Sequence, residues 1–179
     1  MTSTDLAVSP TLATPMADRH LPPAARECLS FRIGQEEYAI DILKVQEIRG
    51  YERSTRMVGT SDFVKGVLNL RGVMVPIIDL RMQFGLADVP YDALTVTVIL
   101  QLQGRVVGIV VDAVSDVVEL SADMVKPVPA FSGHVDSTSI LGIATVPKGE
   151  DEDERMLILL DVEQLMRGPA MGLAEQTLQ

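Results

Sequence analysis

The chain repeats itself, and this constrains its fold more than any other feature. Phe31–Ile48 lies without a gap on Leu100–Val117 at an offset of 69 residues. Phe31 falls on Leu100, Ile33 on Leu102, Tyr38 on Val107, Ile40 on Ile109, Ile42 on Val111, Val45 on Val114, Glu47 on Asp116 and Ile48 on Val117. Met74–Leu80 falls on Met156–Val162 at an offset of 82. Two copies of this length do not make a solenoid. They predict two similar small modules packed together, with function at their shared seam rather than in a catalytic cleft.

Composition sets the bounds. A chain of 179 residues holds one ordinary domain or two small ones. Apolar residues make up 47 % and aromatics 4 %, with no Trp, so the core must be Val, Ile, Leu and Met. A net charge of −10 argues against nucleic acid and against direct binding to an anionic membrane. The single cysteine, Cys28, excludes a disulfide framework and a cysteine zinc site within one chain. Residues 1–25 lack the basic-then-apolar build of a signal peptide, and no apolar run is long enough to span a bilayer. These features predict a cytosolic protein whose membrane link comes through a partner.

Residues 1–25 are rich in Thr, Ser, Ala and Pro and read as a disordered arm; 168–179 reads as a tail. Between them, 26–167 has β texture. Hairpins are predicted at Leu29–Ile33 with Tyr38–Ile42, at Val67–Leu70 with Val73–Leu80, and at Thr95–Leu102 with Val106–Val111. Further strands are predicted at Val45–Arg49, Val114–Leu120, Ile140–Val146 and Met156–Leu160, about ten in all, with short helical turns at Leu80–Phe84 and Val162–Met166. Pro76 lacks an N–H and is predicted at an edge or bulge. The Pro-rich stretch from Val125 to Gly133 is predicted to stay out of the sheets. The five carboxylates at 150–154 repel one another and read as a solvated loop tip rather than a metal site.

No phosphate-cradling loop, His-Glu-x-x-His or Cys-x-x-Cys is present. A Cys28–His134 nucleophilic pair is the one enzymatic alternative, set against Cys28 as a small buried hydrophobe. Asp79 and Asp161 are repeat equivalents, each between an apolar strand and a helical turn, and are predicted to be N-caps. No cofactor or metal is called for. Arg71 has no arginine at the aligned position of the second half. It is either the partner of a neighbouring carboxylate or an anchor for another protein. Phe131 is either a plug over a barrel end or an exposed docking residue.

Glu36–Tyr51, Phe63–Arg81 and Arg105–Val117 together resemble the CheW family of bacterial chemotaxis coupling proteins. The resemblance covers about 27–167. It implies an all-β fold with short helices: two intertwined five-stranded SH3-like β-barrels related by internal duplication, with a boundary near 90–95. It implies no catalysis. It implies a monomeric adaptor, recruited to membrane-associated receptor arrays, between a chemoreceptor's cytoplasmic tip and the regulatory domain of the chemotaxis histidine kinase. By motif, the receptor-facing residues would be Ile42, Val45, Glu47, Arg71, Val96 and Val117, and Phe131 would contact the kinase. A coupling protein of a twitching-motility or developmental pathway is the alternative within the same family.

Overall fold

The computed structural model describes residues 26–128, 137–148, 150 and 153–167. Eleven strands run in chain order: β1 Arg26–Ile33, β2 Glu36–Asp41, β3 Val45–Gly50, β4 Val64–Leu70, β5 Val73–Asp79, β6 Val96–Leu102, β7 Arg105–Val111, β8 Ala113–Leu120, β9 Val125–Lys126, β10 Ile140–Pro147 and β11 Glu154–Leu160. Two one-turn helices follow the matching strands: α1, Leu80–Gln83, after β5, and α2, Val162–Leu165, after β11.

The duplication is visible strand by strand. One sheet has the order β8-β1-β2-β11-β10-β9 and the other β3-β6-β7-β5-β4. Replace each strand by its repeat counterpart and the first five positions of the two orders coincide. Register is kept too. Leu29 pairs Val117 and Val98 pairs Ile48; Phe31 pairs Val114 and Leu100 pairs Val45, with a bulge at the same step. The parallel contacts Leu159–Ala39 and Ile77–Gly108 are likewise equivalent. Each sheet combines a hairpin from one half with strands from the other. The fold is all-β with short helices, two SH3-like units intertwined in this way.

Period-two alternation explains the packing. One face of the β1 and β2 hairpin sends Leu29, Phe31, Tyr38 and Ile40 into a core shared with Val98, Leu100, Val107 and Ile109 from β6 and β7. Ile40 and Ile109, repeat equivalents, are both fully buried there. This core is the seam. The opposite faces of the two hairpins fill one barrel interior each. Cys28, Ala39, Leu157 and Leu159 pack in one; Val75, Ile77, Ile99 and Val110 pack in the other.

Two expectations need correction. β5 is not an edge strand, since it lies between β7 and β4, and Pro76 sits at no bulge. Val67, opposite Pro76, turns its N–H and C=O to Thr55, at 2.9 and 3.0 Å. Val67–Pro76 is therefore a non-hydrogen-bonded pair, and the missing N–H faces β7 just before pairing with β7 begins at Ile77. The Pro-rich stretch does enter a sheet, because Val125 and Lys126 pair with Ala144 and Ile143 before Pro127 ends the strand. That short strand brings the described count to eleven.

Candidate functional site

The β4–β5 turn gives the candidate site its most unusual geometry. Leu70 pairs with Val73, so the loop is two residues, Arg71 and Gly72, with φ of 51° and 87°. Two positive φ values mark a type I′ turn, which favours Asn-Gly or Asp-Gly. Asn69 Oδ1 braces it by accepting from Gly72 N–H at 2.9 Å. Among the described residues, Arg71 alone is a non-glycine with positive φ. An L side chain costs free energy there, and such strain clusters at functional sites.

The turn lifts Arg71 into solvent, 71 % exposed, and its Nη2 donates to Glu47 Oε1 at 3.1 Å. So the structure joins Glu47 and Arg71, and the ion pair predicted as one reading of Arg71 exists. Strand pairing sorts the remaining positions, because directly opposed residues share a face. Val45 opposes Leu100 and Val117 opposes Leu29, both seam residues. Ile42, Val45 and Val96 are half-buried against the seam core, whereas Val117 is 52 % exposed. The four apolar candidates thus belong to the seam face. Glu47 opposes Ile99 and belongs to the lip of a barrel. Phe131 and His134 lie outside the described residues, as do the arm at 1–25 and the tail at 168–179.

Sequence reasoning missed three features. Ile48, Val73 and Met74 are exposed apolar residues, Ile48 next to Glu47 in the chain and Val73 and Met74 directly after the Arg71-Gly72 turn. The usable signal was Met74 and Met156, repeat equivalents that are both exposed on strands of otherwise buried character. Arg155 spans the other barrel lip, donating to Glu37 at 3.2 Å and to both oxygens of Asp116. Asp116 also accepts from the Ser30 hydroxyl. Burial works to raise the Asp116 pKa, but the bonds from Ser30 and Arg155 outweigh it and hold the carboxyl below its usual value. The third is a buried charged node: Arg81 and Asp79 are both fully buried and paired at 2.9 Å.

The strand-end carboxylates do structural work. Asp79 accepts from Arg81 N–H and Asp161 from Gln164 N–H, so both are caps at matching junctions. Cys28 is buried, and burial, then the nearby Asp41 charge, raises its thiol pKa to about 11 despite Arg26. A thiol held protonated in a barrel interior is a poor nucleophile. Glu150, Asp153 and Glu154 are exposed, and no group of three or more metal-type side chains gathers among the described residues. Among the described residues no helix is long and apolar enough to cross a membrane.

Comparison with known proteins gives one consistent result. The CheW-like domain matches residues 27–170. The chain is 50 % identical over 150 residues to the chemotaxis protein CheW of Klebsiella aerogenes, covering 84 % of this chain and 87 % of that one. It is 36 % identical over 140 residues to a probable chemotaxis protein CheW of Rhizobium etli, covering 78 % and 86 %. The crystal structure of the scaffolding protein TtCheW from Thermoanaerobacter tengcongensis superposes with a TM-score of 0.71 at 27 % identity, over 84 % of this chain and 94 % of that one.

Proposed function

The chain belongs to the CheW-like domain family of chemotaxis coupling adaptors, and from that premise we propose that it bridges a chemoreceptor's cytoplasmic tip to the regulatory domain of the chemotaxis histidine kinase, without catalysis of its own. The observation that carries the reading is Arg71: an exposed cation on a strained turn, braced by Asn69, paired with Glu47 and followed in the chain by the exposed Val73 and Met74. A turn that needed only to connect two strands would favour Asn here. Arg is favoured where a few side chains carry most of the binding energy.

In this reading Ile42, Val45, Val96 and Val117 bury against a helix of the receptor, while Arg71 and Glu47 fix its register. Phe131 contacts the kinase by family motif. Residues 26–167 carry the coupling function, and the arm at 1–25 is dispensable to it. Signalling follows from linkage: a bridge transmits a receptor change only if its contacts differ between the two signalling states. The protein acts in the cytoplasm and joins receptor arrays through its partners.

The test is titration of the full chain with a receptor cytoplasmic fragment and with the isolated kinase, separately and together. Binding to each, and receptor-dependent change in kinase activity only when all three are present, is the expected result. Failure to bind either partner overturns the reading.

A further inference from the structure

We propose that Arg81 is a positioning residue: from inside the fold it sets the segments 90–96 and 112–117, which present Val96 and Val117. The functional consequence rests on the reading above that these valines meet the receptor. The Arg81 side chain is fully buried. Its Nε and Nη2 donate to the two oxygens of Asp79, at 3.0 and 2.9 Å. Its Nη1 donates both to the Pro90 carbonyl, at 2.6 Å, and to Asp112 Oδ1, at 3.0 Å. A single nitrogen thereby ties the link between the two halves to the corner that opens β8.

Both tied residues are held from their far sides. Asp112 Oδ2 accepts from Gly34 N–H at 2.7 Å, and Asp112 N–H reaches the Arg32 carbonyl at 3.1 Å. Tyr91, next to Pro90, lies over the Arg81 guanidinium at 4.8 Å and donates to Asp79 Oδ2 at 2.9 Å. Its ring stacks on Tyr51 at 4.3 Å, and Tyr51 N–H reaches the Thr95 carbonyl at 3.1 Å. The chain then passes directly into Val96.

The second half has no such node. The counterpart of Arg81 is Glu163, paired with Lys44, and the counterpart of Asp112 is Leu43, which is 84 % exposed. A fold common to both halves does not require the cluster. Nor does stability, since buried ion clusters are often matched by apolar replacements of similar volume. What a planar guanidinium adds is geometry, with several donors held in one fixed fork. Lysine keeps the charge but cannot grip Asp79 side-on while also reaching Asp112 and Pro90.

The experiment compares the full chain with Arg81→Lys and with the charge-reduced double variant Arg81→Met/Asp79→Asn, which keeps a capping side chain. Amide hydrogen exchange is read by segment, beside titration with a receptor fragment and with the kinase. In whichever variants melt cooperatively, exchange at 90–96 and 112–117 rises about tenfold or more while the β10–β11 hairpin, which makes no bond to the node, is unchanged. Receptor affinity falls about tenfold, and kinase affinity stays within about twofold. Unchanged exchange in those two segments overturns the positioning role, as does loss of cooperative melting in both variants, which makes the node a core element. Val117→Asp separately tests the docking reading: if it binds receptor normally, that reading fails while the exchange result still decides the role of Arg81.

Discussion

Arg155 grips Asp116 through two hydrogen bonds, at 2.8 and 2.7 Å, and Asp116 is the repeat counterpart of Glu47, which Arg71 holds at 3.1 Å. Each half therefore carries an arginine closed onto the same edge-strand carboxylate. The two arginines are not aligned in sequence. Arg71 comes from the tip of the β4–β5 turn, and Arg155 from the strand β11, where β5 has Val73. Their surroundings differ as well, with side chains 71 % and 18 % exposed. The Arg71 guanidinium stands in solvent, whereas in the other clasp the arginine is largely buried and the carboxylate is the more exposed member.

The contrast predicts opposite outcomes. Arg71→Asn gives the turn the Asn-Gly sequence that its dihedrals favour, so melting temperature holds or rises, while receptor affinity drops about thirtyfold, or about 2 kcal/mol. Arg155→Ala lowers the melting temperature, since Glu37 and Asp116 lose their shared partner. Calorimetry and receptor titration on both variants check this. If Arg71→Asn binds normally, the exposed clasp is not a docking anchor.

Asp116 also makes stability sensitive to pH. Its folded-state pKa is depressed, with burial opposing and the Ser30 and Arg155 bonds prevailing. The stabilisation is therefore present above the ordinary carboxylate pKa and is lost as pH falls through the lower folded value. Acid melts of the wild type should show a decline below about pH 4 that is shallower in Asp116→Asn. Parallel curves would mean that other carboxylates dominate acid unfolding.

Two glycines test the packing directly. At Gly66, φ is 136° and an added Cβ would lie 1.9 Å from the Thr55 carbonyl oxygen. Its repeat counterpart, Gly142, would place a Cβ 2.7 Å from the Lys126 carbonyl oxygen. Both glycines sit at matching bulges, where a further segment pairs alongside the strand, Thr55 with Val67 and Val125–Lys126 with Ile143–Ala144. Gly66→Ala is expected to abolish cooperative unfolding or cost more than about 3 kcal/mol, because a strained backbone and a backbone clash coincide. A melt within a few degrees of wild type would refute the close approach.

Much of this architecture was legible in the sequence because its signals are local. Alternation marks the hairpins, and the offset of 69 aligns Ile40 with Ile109, both of which lie in the seam. Asp before an apolar helical turn announced both caps. What stayed hidden depends on three-dimensional proximity. Nothing local links Arg155 to Asp116 or Arg81 to Asp112, which meet only because the halves exchange hairpins. Pro76 misled because a proline is tolerated inside a sheet where its nitrogen faces an unpaired stretch, and that depends on the register of β4 and on where β7 begins to pair. For the candidate site, motif placed Glu47 and Arg71 in one group, and the structure shows them in contact.

Asp79 and Asp161 provide a final test, since the same residue type at the same junction has acquired different duties. Asp161 accepts from Gln164 N–H at 3.1 Å and caps α2. Removing that cap by Asp161→Ala should cost about 1 kcal/mol. Asp79 caps α1 in the same manner, but its oxygens also receive Arg81 and the Tyr91 hydroxyl in a fully buried setting. Asp79→Ala leaves a buried guanidinium without its main counter-charge, which should cost about 3–5 kcal/mol. Asp79→Asn retains the cap and a hydrogen-bonding oxygen and should fall between the two. Urea unfolding of the three variants measures the differences. Equal losses for Asp79→Ala and Asp161→Ala would show that Arg81 finds compensation from Asp112 and Pro90 alone. The ion pair with Asp79 would then not be what holds the node together.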